Sequence, residues 1–274
     1  MTGDSAWLRV TALARKDAHE LIRNPGAIFP AVMMVVGALF PAFLVAVAVP
    51  MFAGETLEES GAFAEESARA IGLIPELGTL SGNALIQAFV FHQFATLLLL
   101  VPVVAAMTLA THAVIGEKLA KALEPLLATP ISTVELLAAK TLTPFLFSLA
   151  LTWSSVALYI LGILLVGEPG VAQAVLGVRM AVMFAVLGPL VELAALQVSV
   201  IVSSRSNDPR SAQQITGLLI LPITAIFIAQ MAGAFVLGPA AMLLGSLGVA
   251  ILNALLLWVG IQIFQRESIL TRWR

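Results

Sequence analysis

Six long apolar segments constrain this chain more than any other feature. A helix needs roughly 20 apolar residues to cross the hydrocarbon core of a bilayer. The segments that reach this length cover residues 27–49, 85–114, 136–166, 178–202, 215–236 and 240–264. Charged residues make up 11% of the chain, whereas a soluble domain carries roughly 25%. We therefore predict an all-α, polytopic membrane protein, with one domain of six transmembrane helices in a lipid bilayer.

The segments also carry features that predict irregular helices. The second and third are longer than one straight crossing needs, which predicts tilt, a kink or a broken end. Most segments contain an internal proline, namely Pro41, Pro102, Pro144, Pro189 and Pro222. Neighbouring helices must satisfy the backbone carbonyls that such prolines free. A packed bundle is the expected result.

The positions of Lys and Arg predict the orientation. Twelve lie on one side of the membrane, within residues 1–26, 115–140, 203–214 and 265–274. Two, Arg69 and Arg179, fall on the other side. Because cytoplasmic loops carry the excess of Lys and Arg, both termini are predicted to be cytoplasmic. The first apolar segment starts only after Pro25, so we expect it to stay in the mature protein as an anchor.

The outer loop, residues 51–84, is acidic. Its carboxylates face one cation, Arg69, and are Glu55, Glu58, Glu59, Glu65, Glu66 and Glu76. One interpretation is a solvated, partly helical cap, and the other is a vestibule that attracts cations.

The N-terminal residues 5–24 carry an amphipathic pattern. Apolar residues recur every seven positions, and cations share a stripe roughly opposite. The two stripes are Trp7, Ala14 and Leu21, and Arg9, Lys16 and Arg23. The pattern predicts a helix in the cytoplasmic membrane interface, and Asn24-Pro25 is expected to end it.

The link between the second and third segments, residues 115–133, is too polar to cross a membrane. Pro125 suits the first turn of a short helix, and Thr129-Pro130 ends it. Ser132-Thr-Val-Glu135 is a capping box that opens the third segment. These signals predict a rigid helical elbow. A soluble partner that gripped the elbow would move two membrane helices as a rigid body; alternatively, the elbow only anchors the bundle.

This link resembles the signature of the ABC-type-2 permease family, the membrane subunits of ATP-binding-cassette exporters. The family pattern is an acidic-basic pair, a Gly-Thr-Leu-Glu run, Leu-Leu-x-Thr-Pro, and Glu-Leu-Leu before Gly-Lys. The matching residues are Glu117-Lys118, Leu123-Glu124-Pro125-Leu126-Leu127-Ala128-Thr129-Pro130, Ser132, Glu135-Leu136-Leu137 and Lys140. The chain departs from the pattern at Lys121-Ala122 and at Ala139, where glycine residues are common.

The resemblance implies a function and a set of partners. The elbow becomes a coupling helix that docks on an ATPase subunit, with Glu117 and Glu124 as polar contacts. The implied docking residues are Glu117, Lys118, Lys121, Glu124, Pro125, Leu126, Leu127, Thr129 and Pro130. Two permease chains would face each other, as a homodimer or with a related chain, in a prokaryotic inner membrane. The chain has no Gly-x-x-x-x-Gly-Lys-Ser/Thr run, so ATP and Mg would bind the partner and this chain would bind no cofactor.

Glu192 is the candidate pathway residue, because it lies deep in the fourth segment. An ionisable group there is costly and is by default a functional hypothesis. On that hypothesis it faces the bundle or dimer interior, where it contacts substrate or is protonated. The alternative is a protonated glutamate that hydrogen-bonds a neighbouring helix.

Other polar residues within the segments predict structural roles. Gln87, His92 and Gln93 are expected near the outer surface, where polar groups cost little, and no metal site is predicted. Asn253 and Gln262 are expected to form hydrogen bonds between helices. Gly233 and Gly238 suggest close helix packing.

Other function classes find less support in the sequence. The chain has no cysteine, no His-Glu-x-x-His pair and no Gly-x-Ser-x-Gly elbow, so we predict no enzyme. Glu65-Glu66-Ser-Ala-Arg69 is one residue shorter than the Glu-Glu-x-x-x-Arg motif of intramembrane glutamate proteases, and it lies in the outer loop. No nucleic-acid partner is expected. A secondary transporter would need ionisable relays, and a membrane scaffold or assembly factor would need no pathway; both stay open as alternatives.

Overall fold

The computed structural model describes residues 11–12, 14–16, 18–19, 23–119, 133–206, 208–232 and 237–263. Over these residues the structure is helical and contains no strand. Six of the described helices are long and apolar enough to cross a membrane. In chain order, these spans 1 to 6 are Ile28–Ala53, Gly82–Ile115, Thr141–Val166, Val178–Arg205, Pro209–Met231 and Pro239–Ile263. Over the described residues, the prediction of an all-α protein with six helices of sufficient length and apolarity to cross a membrane is confirmed.

Span 5 begins earlier than predicted. Its helix starts at Pro209, whereas the apolar run suggested residue 215. Asp208 caps the helix, because its carboxylate accepts a hydrogen bond of 3.0 Å from the Ser211 backbone N–H. That hydrogen bond also lowers the pKa of Asp208. The first two turns are too polar to be recognised by hydropathy, but their capping signals are clear.

Within the spans, short non-α turns coincide with prolines. The π-helical turns are Leu44–Ala48 and Met183–Leu187, and the 3-10 turns are Ala95–Leu99 and Gly217–Leu219. Each turn contains the residue four positions before a proline, in the pairs Ala46 and Pro50, Ala185 and Pro189, Leu98 and Pro102, and Leu218 and Pro222. Proline removes a hydrogen bond to that carbonyl and clashes with it. The helix therefore changes its winding there.

The α-helices between these turns have the following bounds. They are Pro25–Phe43 and Val49–Ala53 in span 1, Gly82–Phe94 and Leu100–Leu119 in span 2, Thr133–Val166 in span 3, Val178–Val182 and Gly188–Arg205 in span 4, Pro209–Thr216 and Ile220–Met231 in span 5, and Pro239–Ile263 in span 6. In span 2, for which tilt, a kink or a broken end is expected, the winding changes at the 3-10 turn Ala95–Leu99 while the span stays helical throughout. The helix of span 3 instead continues through Pro144 for 34 residues.

Span 2 is the central helix of the bundle. In its most apolar window 89% of the residues are buried, whereas the other spans have between 11% and 44% buried. Spans 1, 3, 4 and 5 pack against it, and span 6 packs against span 4. The largest buried side chains of the core include Phe89, Phe91, Tyr159 and Phe184. A movement of span 2 would therefore disturb most of the bundle.

The alternation of the spans gives the bundle two ends. The loop end holds the links 54–81, 167–177 and 232–238, and the terminal end holds the links 116–140 and 206–208. At the loop end, the first link contains the helices Ala64–Ala70 and Pro75–Thr79 and buries Leu57, Ile74 and Leu77. Glu65 and Arg69 form an exposed ion pair of 2.5 Å there. This link is thus partly helical and is packed on the core.

The described residues of the N-terminal segment are helical and contact the terminal end of span 3. The backbone carbonyl of Ala14 accepts a hydrogen bond of 3.0 Å from the Thr143 hydroxyl. Residues 11, 14 and 18 are partly buried, whereas residues 12, 15, 16 and 19 are exposed. Trp7, Arg9 and Leu21 of the predicted amphipathic stripes lie outside the described residues.

Candidate functional site

The predicted coupling residues lie mostly outside the described residues. The backbone of Glu117 and Lys118 is in the last turn of the helix Leu100–Leu119, at the terminal end. The helix Thr133–Val166 starts on the other side of the link. Outside the described residues lie Lys121, Glu124, Pro125, Leu126, Leu127, Thr129 and Pro130. The segment that they form therefore connects two long helices, of which one is the central span.

Glu192 lies in the interior of the bundle, midway along span 4. Its exposed fraction is 0%. The Ser148 hydroxyl of span 3 donates a hydrogen bond of 2.5 Å to its Oε1 atom. Its Oε2 atom has no hydrogen-bond partner in the structure. The predicted contact with a neighbouring helix is therefore present.

The surroundings of Glu192 favour a neutral carboxyl group. Glu192 forms no ion pair with any described residue, and an unpaired buried carboxylate costs several kcal/mol. The Ser148 hydroxyl has one hydrogen, yet a second acceptor, the Phe145 carbonyl, lies 3.2 Å away. A protonated Glu192 could donate to Ser148 while Ser148 donates to Phe145, so that each hydrogen has an acceptor.

A second polar pair joins spans 4 and 6. Gln197 donates a hydrogen bond of 3.0 Å to the Asn253 side-chain carbonyl, and Asn253 donates one of 2.9 Å to the Leu190 carbonyl. The prediction of interhelical hydrogen bonds is confirmed for Asn253. The prediction of close packing at Gly238 is wrong, because a Cβ atom there would meet no atom within 4 Å. Gly233 lies outside the described residues.

Arg179 forms the centre of a buried polar cluster that the sequence analysis missed. It was counted as a cation on the outer side, but its exposed fraction is 7%. Its Nε, Nη1 and Nη2 atoms donate to the Leu237 carbonyl at 2.9 Å, the His92 carbonyl at 3.0 Å and Gln230 Oε1 at 2.9 Å. Arg179 therefore ties together spans 2, 4 and 5 and the link before span 6.

The neighbours of Arg179 are buried as well, which corrects the expectation for span 2. Gln87, His92 and Gln93 are exposed by 4% or less, so they do not lie on a surface where polar groups cost little. Gln93 donates to the Gln230 carbonyl at 3.2 Å, and Gln230 contacts the Thr96 hydroxyl at 3.5 Å. Among the described residues, His92 Nε2 and Gln93 Oε1 have no hydrogen-bond partner. The signal for this cluster was the set of polar residues at the same end of three segments.

Gln87 belongs to a neighbouring set of contacts that fastens the loop end. It accepts a hydrogen bond of 2.8 Å from the Glu168 backbone N–H and donates one of 3.3 Å to the Ala46 carbonyl. Asn83 donates to the Glu168 carboxylate and accepts a hydrogen bond of 2.9 Å from the Leu57 backbone N–H. These contacts bind both long links to span 2, and we assign them a structural role.

An apolar groove lies between spans 2, 4, 5 and 6. Its cavity volume is about 320 Å³. The lining is almost entirely aliphatic and includes Leu99, Val103, Val191 and Gly245, whereas Thr96 contributes a hydroxyl. Thr96 and Leu237 also contact the Arg179 cluster, so the groove and the cluster share a wall.

Comparison with known proteins assigns no family to the chain: no protein-family model and no curated protein matches it. Within the described residues, no group of three or more His, Asp or Glu side chains could hold a metal ion. A function for this chain is therefore inferred from its motif, its spans and its buried polar groups.

Proposed function

We propose that this chain is the membrane-spanning permease subunit of an ATP-binding-cassette exporter. A separate subunit would hydrolyse ATP, and this chain would move the substrate across the membrane. The single observation that carries the proposal is the motif of residues 117–130, placed between the two long helices of spans 2 and 3. It resembles the coupling segment of ABC-type-2 permeases.

The arrangement of helices supports a coupling role for this segment. The helix Leu100–Leu119 enters the segment from the core of the bundle, and Thr133–Val166 leaves it as one uninterrupted helix. At 1.5 Å per residue, the second helix is about 50 Å long. A displacement of the segment would thus pass directly into span 2, against which four other spans pack.

The proposed mechanism uses two permease chains that face each other, either identical or related. ATP-driven closure of the partner ATPases displaces residues 117–130 in each chain and exposes the pathway alternately to the two sides of the membrane. This requires the terminal end to be cytoplasmic, as the excess of Lys and Arg predicts. The N-terminal helix would then lie in the cytoplasmic interface of a cell inner membrane, with its exposed cations at the headgroups.

Co-purification tests the proposal. The tagged chain is solubilised gently from its native membrane, and its stoichiometric partners are identified. We expect a soluble ATPase that is lost from the double variant Glu117→Lys, Glu124→Lys. The matched control, Glu65→Lys with Glu66→Lys, makes the same charge change at the loop end and should retain the ATPase. A chain that is intact but alone, even after cross-linking, would contradict the proposal.

A secondary transporter is the second candidate, and the buried ionisable groups favour it. Arg179 and His92 join Glu192 as ionisable side chains inside the bundle. However, Arg179 and Glu192 are separated by about 20 Å along span 4. The groove between spans 2, 4, 5 and 6 is lined by aliphatic residues and offers no ionisable side chain to bridge that distance. The buried ionisable groups therefore form no continuous relay. Substrate uptake that follows an ion gradient in the absence of any ATPase would favour this candidate.

A further inference from the structure

Arg179 is a buried cation that the Glu76 carboxylate attracts without a direct ion pair. Its three hydrogen-bond acceptors are neutral oxygens, and it forms no ion pair with the described residues. A guanidinium group has five N–H donors, and the contacts to described residues use three of them. A buried charge is costly unless an opposite charge compensates it. The cluster is thus incomplete in a way that an anion would repair.

His92 provides an independent sign of a missing ligand. Its Nε2 atom is buried without a hydrogen-bond partner, and its own backbone carbonyl accepts a hydrogen bond from Arg179. Native structures leave few buried polar atoms unsatisfied, and those few call for an explanation. A neutral imidazole that carries its hydrogen on Nε2 can donate it to a carboxylate oxygen.

The apolar groove indicates the chemistry of the other part of the ligand. Leu237 lines the groove and accepts a hydrogen bond from Arg179, while Thr96 lines it and contacts Gln230. The polar cluster therefore lies directly behind Leu237 and Thr96 at the loop end of span 5, while Arg179 and His92 do not themselves line the groove. Pockets for small ligands combine an apolar lining with a few placed polar groups, and this combination suits a charged head with an alkyl tail.

We propose that this site binds an amphiphile with one alkyl chain and one carboxylate head, in the manner of a fatty acid. The head lies at Arg179 and His92, and the chain fills the groove between spans 2, 4, 5 and 6. The cavity volume of about 320 Å³ lies at the lower end of the range of about 300–1,000 Å³ for small-ligand pockets, which suits a ligand with one medium-length chain. The binding of this amphiphile is inferred from the structure alone. The further inference that the amphiphile is the transported substrate rests on the proposed function.

Photolabelling in nanodiscs of zwitterionic lipid tests the site. The probes are dodecanoate, dodecanol and dodecyltrimethylammonium, each with a diazirine near the methyl end, and mass spectrometry locates the label. We expect saturable labelling of groove residues by the dodecanoate probe only. Arg179→Gln should weaken this labelling at least tenfold, because it removes the cation.

Substitutions at two glycines of span 6 test the site independently, in case Arg179→Gln does not fold. At Gly245 and at Gly248, both in span 6, a Cβ atom would meet nothing within 4 Å, and Gly245 lines the groove. Gly245→Leu should fill the groove and abolish saturable labelling, whereas Gly248→Leu should label like the wild type.

Three results would overturn the inference. They are equal labelling by dodecanol, equal labelling of the two leucine variants, and cross-linking of two chains through Gly245→Cys, which would assign the groove to a second copy. Labelling without a co-purifying ATPase would instead overturn the proposed function and leave the binding site intact.

Discussion

Glu192 is a buried carboxyl group that joins spans 4 and 3. Its partner is Ser148, and no described cation neutralises it. Because glutamine reproduces the shape and the hydrogen bonding of a neutral carboxyl group, Glu192→Gln should change the free energy of unfolding by less than about 1 kcal/mol. Glu192→Ala should lose about 1–3 kcal/mol, since it removes the contact to span 3.

The measurement is thermal unfolding of the purified variants, together with transport of substrate. We expect Glu192→Gln to transport like the wild type. A glutamine variant that unfolds as easily as Glu192→Ala would show that the carboxyl group is ionised. A stable glutamine variant that fails to transport would give Glu192 a place in the pathway.

Tyr159 carries a hydrogen bond between spans 3 and 2 at the centre of the core. Its exposed fraction is 0%, and its hydroxyl donates to the Phe91 carbonyl at 2.6 Å. This carbonyl lies just before the 3-10 turn of span 2, where the regular α-helical pattern ends. Tyr159→Phe should destabilise the protein by about 0.6 kcal/mol, the average for hydrogen bonds between membrane helices, and by no more than about 1.7 kcal/mol, the largest such value.

Comparison of thermal unfolding for Tyr159→Phe and Tyr159→Leu separates the hydroxyl from the ring. The ring contacts Phe43 and Phe91 at centroid distances of 5.7 and 5.9 Å, so the leucine variant should lose clearly more stability. Equal losses for the two variants would mean that the ring adds nothing beyond the hydroxyl.

At the scale of the helices, spans 1 and 3 approach each other at a glycine. A Cβ atom on Gly162 would lie 2.3 Å from the Phe43 ring, and this ring also packs on Phe91 at a centroid distance of 5.3 Å. Because the ring is held on both sides, Gly162→Ala should cost about 1–3 kcal/mol. Gly37→Ala, in open space within the helix of span 1, should be neutral or stabilising by up to about 1 kcal/mol.

Thermal unfolding of the two alanine variants checks this packing. If Gly162→Ala is as stable as Gly37→Ala, spans 1 and 3 are not in close contact at this point.

The helices show which signals a sequence carries and which it does not. Hydropathy locates all six spans, because a membrane requires long apolar runs whatever the tertiary contacts are. Hydropathy misses the start of span 5, because the position of this helix end is set by the Asp208 cap and not by an apolar residue. It also cannot tell that Arg179 and His92 share one cluster, since this depends on which helices are neighbours. The non-α turns each precede a proline, whose local clash accounts for them, but Pro41 and Pro144 lie in regular α-helix, so a proline alone does not predict a turn.

For the whole molecule, the decisive property is which end of the bundle faces the cytoplasm. Because the chain has no cysteine, a single introduced cysteine is the only thiol in each variant, and its labelling shows on which side of the membrane that end lies. Ser60 is exposed at the loop end and Arg210 at the terminal end. In intact cells, a membrane-impermeant maleimide should label Ser60→Cys, and it should label Arg210→Cys only after the membrane is permeabilised.

The orientation constrains the proposed coupling, because ATP is available on the cytoplasmic side. The excess of Lys and Arg remains large when one arginine is replaced, so Arg210→Cys should not invert the chain. Labelling of both cysteines in intact cells would indicate a mixed orientation. Labelling of Arg210→Cys alone would place residues 117–130 outside the cell, where no ATPase could drive them, and the permease proposal would fail with it.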